Sequence, residues 1–134
     1  MNLNPLSPLT GTPLDECSAR ELDAWIALRL GFLNVEWHIE FSDWVYSKTI
    51  DTLAVYTVAE YTTTNIALDL MAHEAWLNGI NGRELVLLTV HTGHCYVATY
   101  EHETVLETLC AEQTAPLAIC KAWIIAVEAK EPQP

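Results

Sequence analysis

A mixed α/β (α+β) domain, with three amphipathic helices around a small, mostly antiparallel sheet, is the fold class this sequence predicts. Three observations carry it. The 134 residues are 51% hydrophobic, which is the size and composition of one domain with one sizeable core. Three stretches repeat apolar residues at helical spacing, and between them lie segments of period-two alternation or of Val, Thr and Tyr enrichment. The strands follow one another through short turns, so helices are expected on one or both faces of the sheet.

Residues 1–13 hold Pro5, Pro8 and Pro13 among Ser, Thr and Gly, which predicts an extended arm packed on the body or on another subunit. The domain proper is expected over 14–130, with a frayed tail at 131–134. Ser18 and Glu21 are spaced as a capping box, Cys17 and Leu22 as a hydrophobic staple. Leu22, Trp25, Ile26 and Leu30 continue at helical spacing to a stop at Gly31. Val35, Trp37, Ile39 and Phe41 then alternate with Glu36, His38, Glu40 and Ser42, as in a strand with one wet face. Residues 51–60 read equally as a strand or an ordered loop.

A second helix is expected to open within Thr62 to Asn65, whose hydroxyls can cap it. It runs through Ile66, Leu70, Met71 and Leu77 to Asn78-Gly79. Leu85 to Val90 and Cys95 to Tyr100 predict a hairpin across residues 91–94, and Val105 to Leu109 a further strand. Thr114 caps a last helix with Pro116 in its first turn and one apolar face of Leu117, Cys120, Ile124 and Val127.

Eighteen Asp and Glu against six Lys and Arg give a net charge of −12. Neutralising phosphates requires a basic stripe, which the scattered Arg20, Arg29, Lys48, Arg83, Lys121 and Lys130 do not form, so direct nucleic-acid binding is not expected. The acidity reads as solubility or as mimicry of nucleic acid toward a host protein. No apolar run approaches the roughly 20 residues of a membrane span, and the first residues lack the pattern of a signal peptide. The four cysteines contain no CxxC pair and read as reduced packing residues, which points to the cytoplasm.

The closing segment Glu112-Gln113-Thr114-Ala115-Pro116-Leu117-Ala118-Ile119-Cys120-Lys121-Ala122 resembles the last helix of the phage ABA sandwich domain family. Glu21-Leu22-Asp23-Ala24 resembles that family's opening helix, and Tyr61-Thr62-Thr63-Thr64-Asn65-Ile66-Ala67 its central segment, with an extra threonine and Asn65 in place of an Asp. The resemblance covers most of residues 14–129. It implies an α-β-α layered sandwich and a phage or prophage origin, and it transfers no catalytic residues.

His91, His94, Cys95 and His102, with Glu101 and Glu103, have the residue types of a metal site, but their spacing fits a solvated hairpin tip, and no metal or cofactor is expected. His73 reads as a histidine at the core edge. No nucleophile elbow, phosphate-binding glycine loop or dinucleotide fingerprint is present, so no catalytic set is assigned. The candidate ligand-binding residues are Tyr61, Thr62, Thr63, Thr64 and Asn65, where a helix start offers N–H donors and a positive end to an anion, with Tyr46 or Tyr61 as a ring to stack on a base. Trp37, Trp44 and Tyr46 form a second cluster that reads as core or subunit interface.

These readings converge on a non-catalytic phage-encoded binding protein acting on host physiology or defence, most concretely a sponge for a small nucleotide-derived signal. An acidic inhibitor of a host protein and an enzyme of unrecognised type are the alternatives, and a homo-oligomer is one expected state.

Overall fold

Ser7 draws the proline-rich start of the chain into a turn rather than an extended arm. In the computed structural model, which describes residues 2–49, 54–90 and 93–130, Ser7 N–H donates to Thr12 O at 2.9 Å and Gly11 N–H to Ser7 O at 2.8 Å. Ser7 Oγ also accepts from Leu9 N–H. Gly11 takes φ 74°, a conformation that suits glycine because it has no Cβ, and Leu6 then bridges back to Pro13. The expected tail at 131–134 lies outside the described residues.

A single 3-10 turn, Leu14–Glu16, leads into helix α1, Ala19–Arg29. Ser18 Oγ accepts Glu21 N–H at 3.2 Å, half of the capping box. Glu21 Oε2 is buried without a hydrogen-bond partner. From Leu22 to Ala27 every residue of α1 is buried, because the helix packs on a sheet on one side and on the last helix on the other. Gly31, at φ 97°, ends it as expected.

Where the sequence reading has one sheet, there are two, each of three antiparallel strands. The first is β1 (Leu33–His38), β2 (Asp43–Ser47) and β3 (Tyr56–Thr57). The alternation from Val35 to Ser42 is therefore not one strand. It breaks at Ile39, because Phe41 N–H donates to His38 Nδ1 and Ser42 adopts φ 51°, which turns the chain so that Trp37 pairs with Trp44. The undecided stretch contributes the two residues of β3, and residues 51–53 lie outside the described residues.

The second helix also differs from expectation. Asn65–Ala72 is a 3-10 helix, His73 breaks it at ψ 153°, and α2 is only Glu74–Asn78, ending at Gly79. Ala67 and Leu70 are its buried residues; their spacing of three stacks them on one side when the helix has three residues per turn. Strands β4 (Glu84–Thr89), β5 (Cys95–Glu101) and β6 (Thr104–Glu112) form the second sheet in that order. His102 and Glu103, at φ 51° and 62°, make the tight β5–β6 turn, both central residues being left-handed as such hairpins require.

Helix α3, Ala115–Lys130, is the centre of the molecule and not a helix with one apolar face. Ala118, Ile119, Cys120, Ala122, Trp123, Ile124, Ile125 and Ala126 are all buried, which covers every side of the helix, as expected of one enclosed by protein. It packs on β5 and β6, on the 3-10 helix, on α1 and on α2. The chain is thus a layered α/β sandwich in which α1 lies on the first sheet and α3 on the second. Among the described residues no helix is long and apolar enough to cross a membrane.

Candidate functional site

The end of α1 and the first sheet together build a row of aromatic rings. Phe32 N–H donates to Ala27 O at 3.1 Å just past the glycine stop, which lays its ring 4.6 Å from that of Tyr46. Tyr46 is the direct cross-strand partner of Tyr56, and their centroids are 5.7 Å apart. Lys48 follows Tyr46 by two residues, so it leans to the same side, and its Nζ sits 4.5 Å from the Tyr56 centroid. Both separations between the rings suit offset or tilted aromatic packing, and the ammonium is placed for a cation–π contact.

Tyr61 is buried in the core. Burial pushes its phenol pKa up, and the neighbouring Tyr46, Asp23, Cys120 and Asp69 add to the rise, so Tyr61 stays a neutral phenol. Tyr46 packs at the edge of the core cluster to which Tyr61 belongs.

The threonines are employed differently from the sequence reading. Thr62, 3% exposed, donates its N–H to Asp23 Oδ1 at 2.8 Å and its hydroxyl to Ala19 O at 3.4 Å. Thr64 donates its hydroxyl to Glu60 O at 2.6 Å and makes no side-chain cap to the helix it precedes. A hydroxyl proton given to a carbonyl is not available to an anion. The 3-10 helix has no side-chain cap, contrary to expectation: Thr64, which directly precedes it, turns its hydroxyl to Glu60 O instead. Thr63 and Asn65 are exposed.

What holds this loop is a polar cluster missed by the sequence reading. Arg20 grips Asp43 with two hydrogen bonds, Nε to Oδ1 at 2.9 Å and Nη2 to Oδ2 at 3.2 Å. It also donates to Asp23 Oδ2 at 2.9 Å and to Val58 O at 2.7 Å. Burial pushes Asp23 up, and the bonds from Thr62 and Arg20 only partly offset it. In Asp43 a smaller desolvation is outweighed by the bonds from Arg20 and Trp44 N–H and by the Arg20 charge, which hold the carboxyl below its ordinary value. Burial lowers the Arg20 pKa, but the two carboxylates more than restore it. The i,i+3 spacing of Arg20 and Asp23 was a legible signal; the share of Asp43 was not, being twenty residues further on.

His94 is exposed, Cys95 points inward and is buried, and His102 occupies the exposed β5–β6 turn; His91 lies outside the described residues. Among the described residues no three His, Cys, Asp or Glu side chains gather to hold a metal ion. His73 is exposed, with its ring edge-on to Trp123 at 6.1 Å. The four thiols are free. Burial raises Cys17 and Cys110 to about 11, with nearby carboxylates adding, and raises Cys120 as well. No protein-family profile, curated protein or solved structure matches the chain.

Proposed function

We propose that this chain is a non-catalytic binding protein that sequesters a small nucleotide-derived ligand, stacking its base on the Phe32, Tyr46 and Tyr56 row with Lys48 meeting a phosphate. The observation that carries the reading is that row, three rings in succession ending at an ammonium group. Every base has a π-face, and stacking one on an aromatic side chain contributes about 1–3 kcal/mol. The likeness of the closing helix segment, Glu112 to Ala122, to the phage family supports a phage or prophage source, and with it a role as an anti-defence sponge in the host cytoplasm. Thr63 and Asn65, exposed beside the buried Tyr61, are the members of the central segment left to touch such a ligand.

The test is calorimetry and thermal unfolding with cyclic mononucleotides, cyclic dinucleotides and ADP-ribose derivatives. A ligand bound by the row raises Tm in proportion to its affinity, and Tyr56→Ala weakens it by about tenfold. Absence of stabilisation by the whole panel, or binding indifferent to Tyr56→Ala and Lys48→Glu, overturns the reading.

The second reading, an acidic inhibitor of a host protein, is favoured by the β1–β2 hairpin. Trp37 and Ile39 are 52% and 82% exposed, and Phe41 beside them is exposed too, with the carboxylates of Glu36 and Glu40 between them. Large aromatic and aliphatic side chains in solvent are the residue types of interface anchors. On this reading a basic, nucleic-acid-binding host protein is captured, its association weakens with salt, and Trp37→Ala abolishes it. Capture that is independent of both salt and Trp37 counts against it.

A further inference from the structure

The N-terminal turn, the turn at Ile80 and Asn81 and the last turn of α3 border a half-open cavity of about 580 Å³, within the usual range of small-molecule sites. We propose that this cavity binds a small organic ammonium ion with an apolar body of a few carbons. The site is separate from the aromatic row and does not depend on it.

The polar end of the cavity is Glu128. Its Oε1 accepts Trp25 Nε1 at 2.9 Å and Arg29 Nε at 2.6 Å, and its Oε2 accepts Arg29 Nη2 at 3.1 Å. A carboxylate offers about four acceptor positions, so these three donors fix the group rigidly and leave one position, on Oε2. Glu128 and Ala129 also belong to the last turn of α3, where carbonyls lack helical partners and the helix dipole is negative. A carboxylate and a helix C-terminus on one wall favour a cation and disfavour an anion. Arg29 offsets much of the Glu128 charge, so the preference for a cation rests on the remaining acceptor position of Oε2 together with the negative end of α3.

Two amides complete the polar lining. Asn2 already accepts Asn4 N–H on its Oδ1 at 2.9 Å, leaving its amide donors. Asn81 stands in a left-handed conformation at φ 54° with its side chain exposed at the cavity, and its carbonyl oxygen is a further acceptor for an ammonium proton. The remaining wall is hydrocarbon, from Pro5, Leu6 and Ile80. Leu6 is 61% exposed, and an apolar ligand body would cover it, removing that surface from water.

The probe is n-pentylammonium, with pentanoate and n-pentanol as matched controls, titrated into the full chain by calorimetry and followed in parallel by thermal unfolding. The expected result is saturable binding of n-pentylammonium at one site, pentanol weaker by about tenfold, and no binding of pentanoate. Glu128→Gln should weaken binding by about tenfold or more. That variant also disturbs Arg29 and Trp25, so Leu6→Arg provides a second reading: at an exposed position it leaves the core alone and sets a guanidinium at the mouth, which should abolish binding. Pentanoate binding as tightly as the ammonium, unchanged affinity in Leu6→Arg, or no saturable binding up to about 10 mM n-pentylammonium overturns the proposal.

Discussion

Replacing Asp23 with alanine tests the polar cluster that ties α1 to the first sheet and to the loop before the 3-10 helix. Asp23 is 1% exposed and accepts the Thr62 amide at 2.8 Å and Arg20 Nη1 at 2.9 Å. Alanine leaves the buried Thr62 N–H without a partner, which costs about 1–3 kcal/mol. It also removes one of the two carboxylates from Arg20. Breaking one side of a buried ion pair costs about 3–5 kcal/mol, and Arg20 keeps Asp43 and the Val58 carbonyl, so the low end, about 3 kcal/mol, is expected. For a chain of this length that lowers Tm by about 10 °C. Asp23→Asn keeps an acceptor for Thr62 and removes a charge that burial disfavours, so it should cost less than Asp23→Ala. Asp43→Ala, at the more exposed end, should cost about 1 kcal/mol. Urea titration followed by tryptophan fluorescence measures all three. A loss below about 1 kcal/mol for Asp23→Ala, or a larger loss for Asp43→Ala, refutes the assignment of Asp23 as the centre of the cluster.

The two carboxylates should also titrate in opposite senses. Asp43 is held below its ordinary value of 3.8, so its contribution is present above that pH and is lost as pH falls through the depressed folded value; the stability gap between wild type and Asp43→Ala should close in acid. Asp23 is raised from 3.8, so its share is full below that value and declines as pH rises through the folded one. Denaturant titrations across the acid range check the Asp43 gap, and a constant gap would contradict it. Gly79→Ala should destabilise by about 3 kcal/mol, because a Cβ there would meet the Arg83 carbonyl oxygen and φ is 65°; Gly31→Ala, with open space around it, should cost only about 1 kcal/mol of backbone strain. Calorimetric Tm values compare the two. Ala122→Leu, inside the enclosed α3, should cost about 1–3 kcal/mol by overpacking, and equal stability would mean that this side of the helix has room. Native Cys17, Cys110 and Cys120 should resist iodoacetamide near neutral pH, since the thiolate is the reactive form and burial raises all three. Rapid alkylation detected by mass spectrometry would refute this.

Local patterns determined the helix start at Ser18, the glycine stops at Gly31 and Gly79, and the pairing of β4 with β5. Each depends on residues within a few positions of one another, where backbone geometry and capping act directly. The i,i+3 spacing of Arg20 and Asp23 was legible in the same way, although the sequence reading passed over it. Other features were settled only when distant segments met. The alternation around Ile39 looks the same in a strand and across a tight hairpin, and the turn depends on His38 accepting a bond from Phe41. The apolar stripe of α3 looked one-sided, yet a second sheet and three helical segments converge on it and bury Ala118, Ala122 and Ala126 as well. Tertiary packing also redirected the threonines. Thr62 and Thr64 carry the chemistry of caps, but their hydroxyls turn to the carbonyls of Ala19 and Glu60. The aromatic row joins residues 32, 46 and 56 because the end of α1 folds over β2 while β3 pairs beside it, and a sequence carries no local record of that.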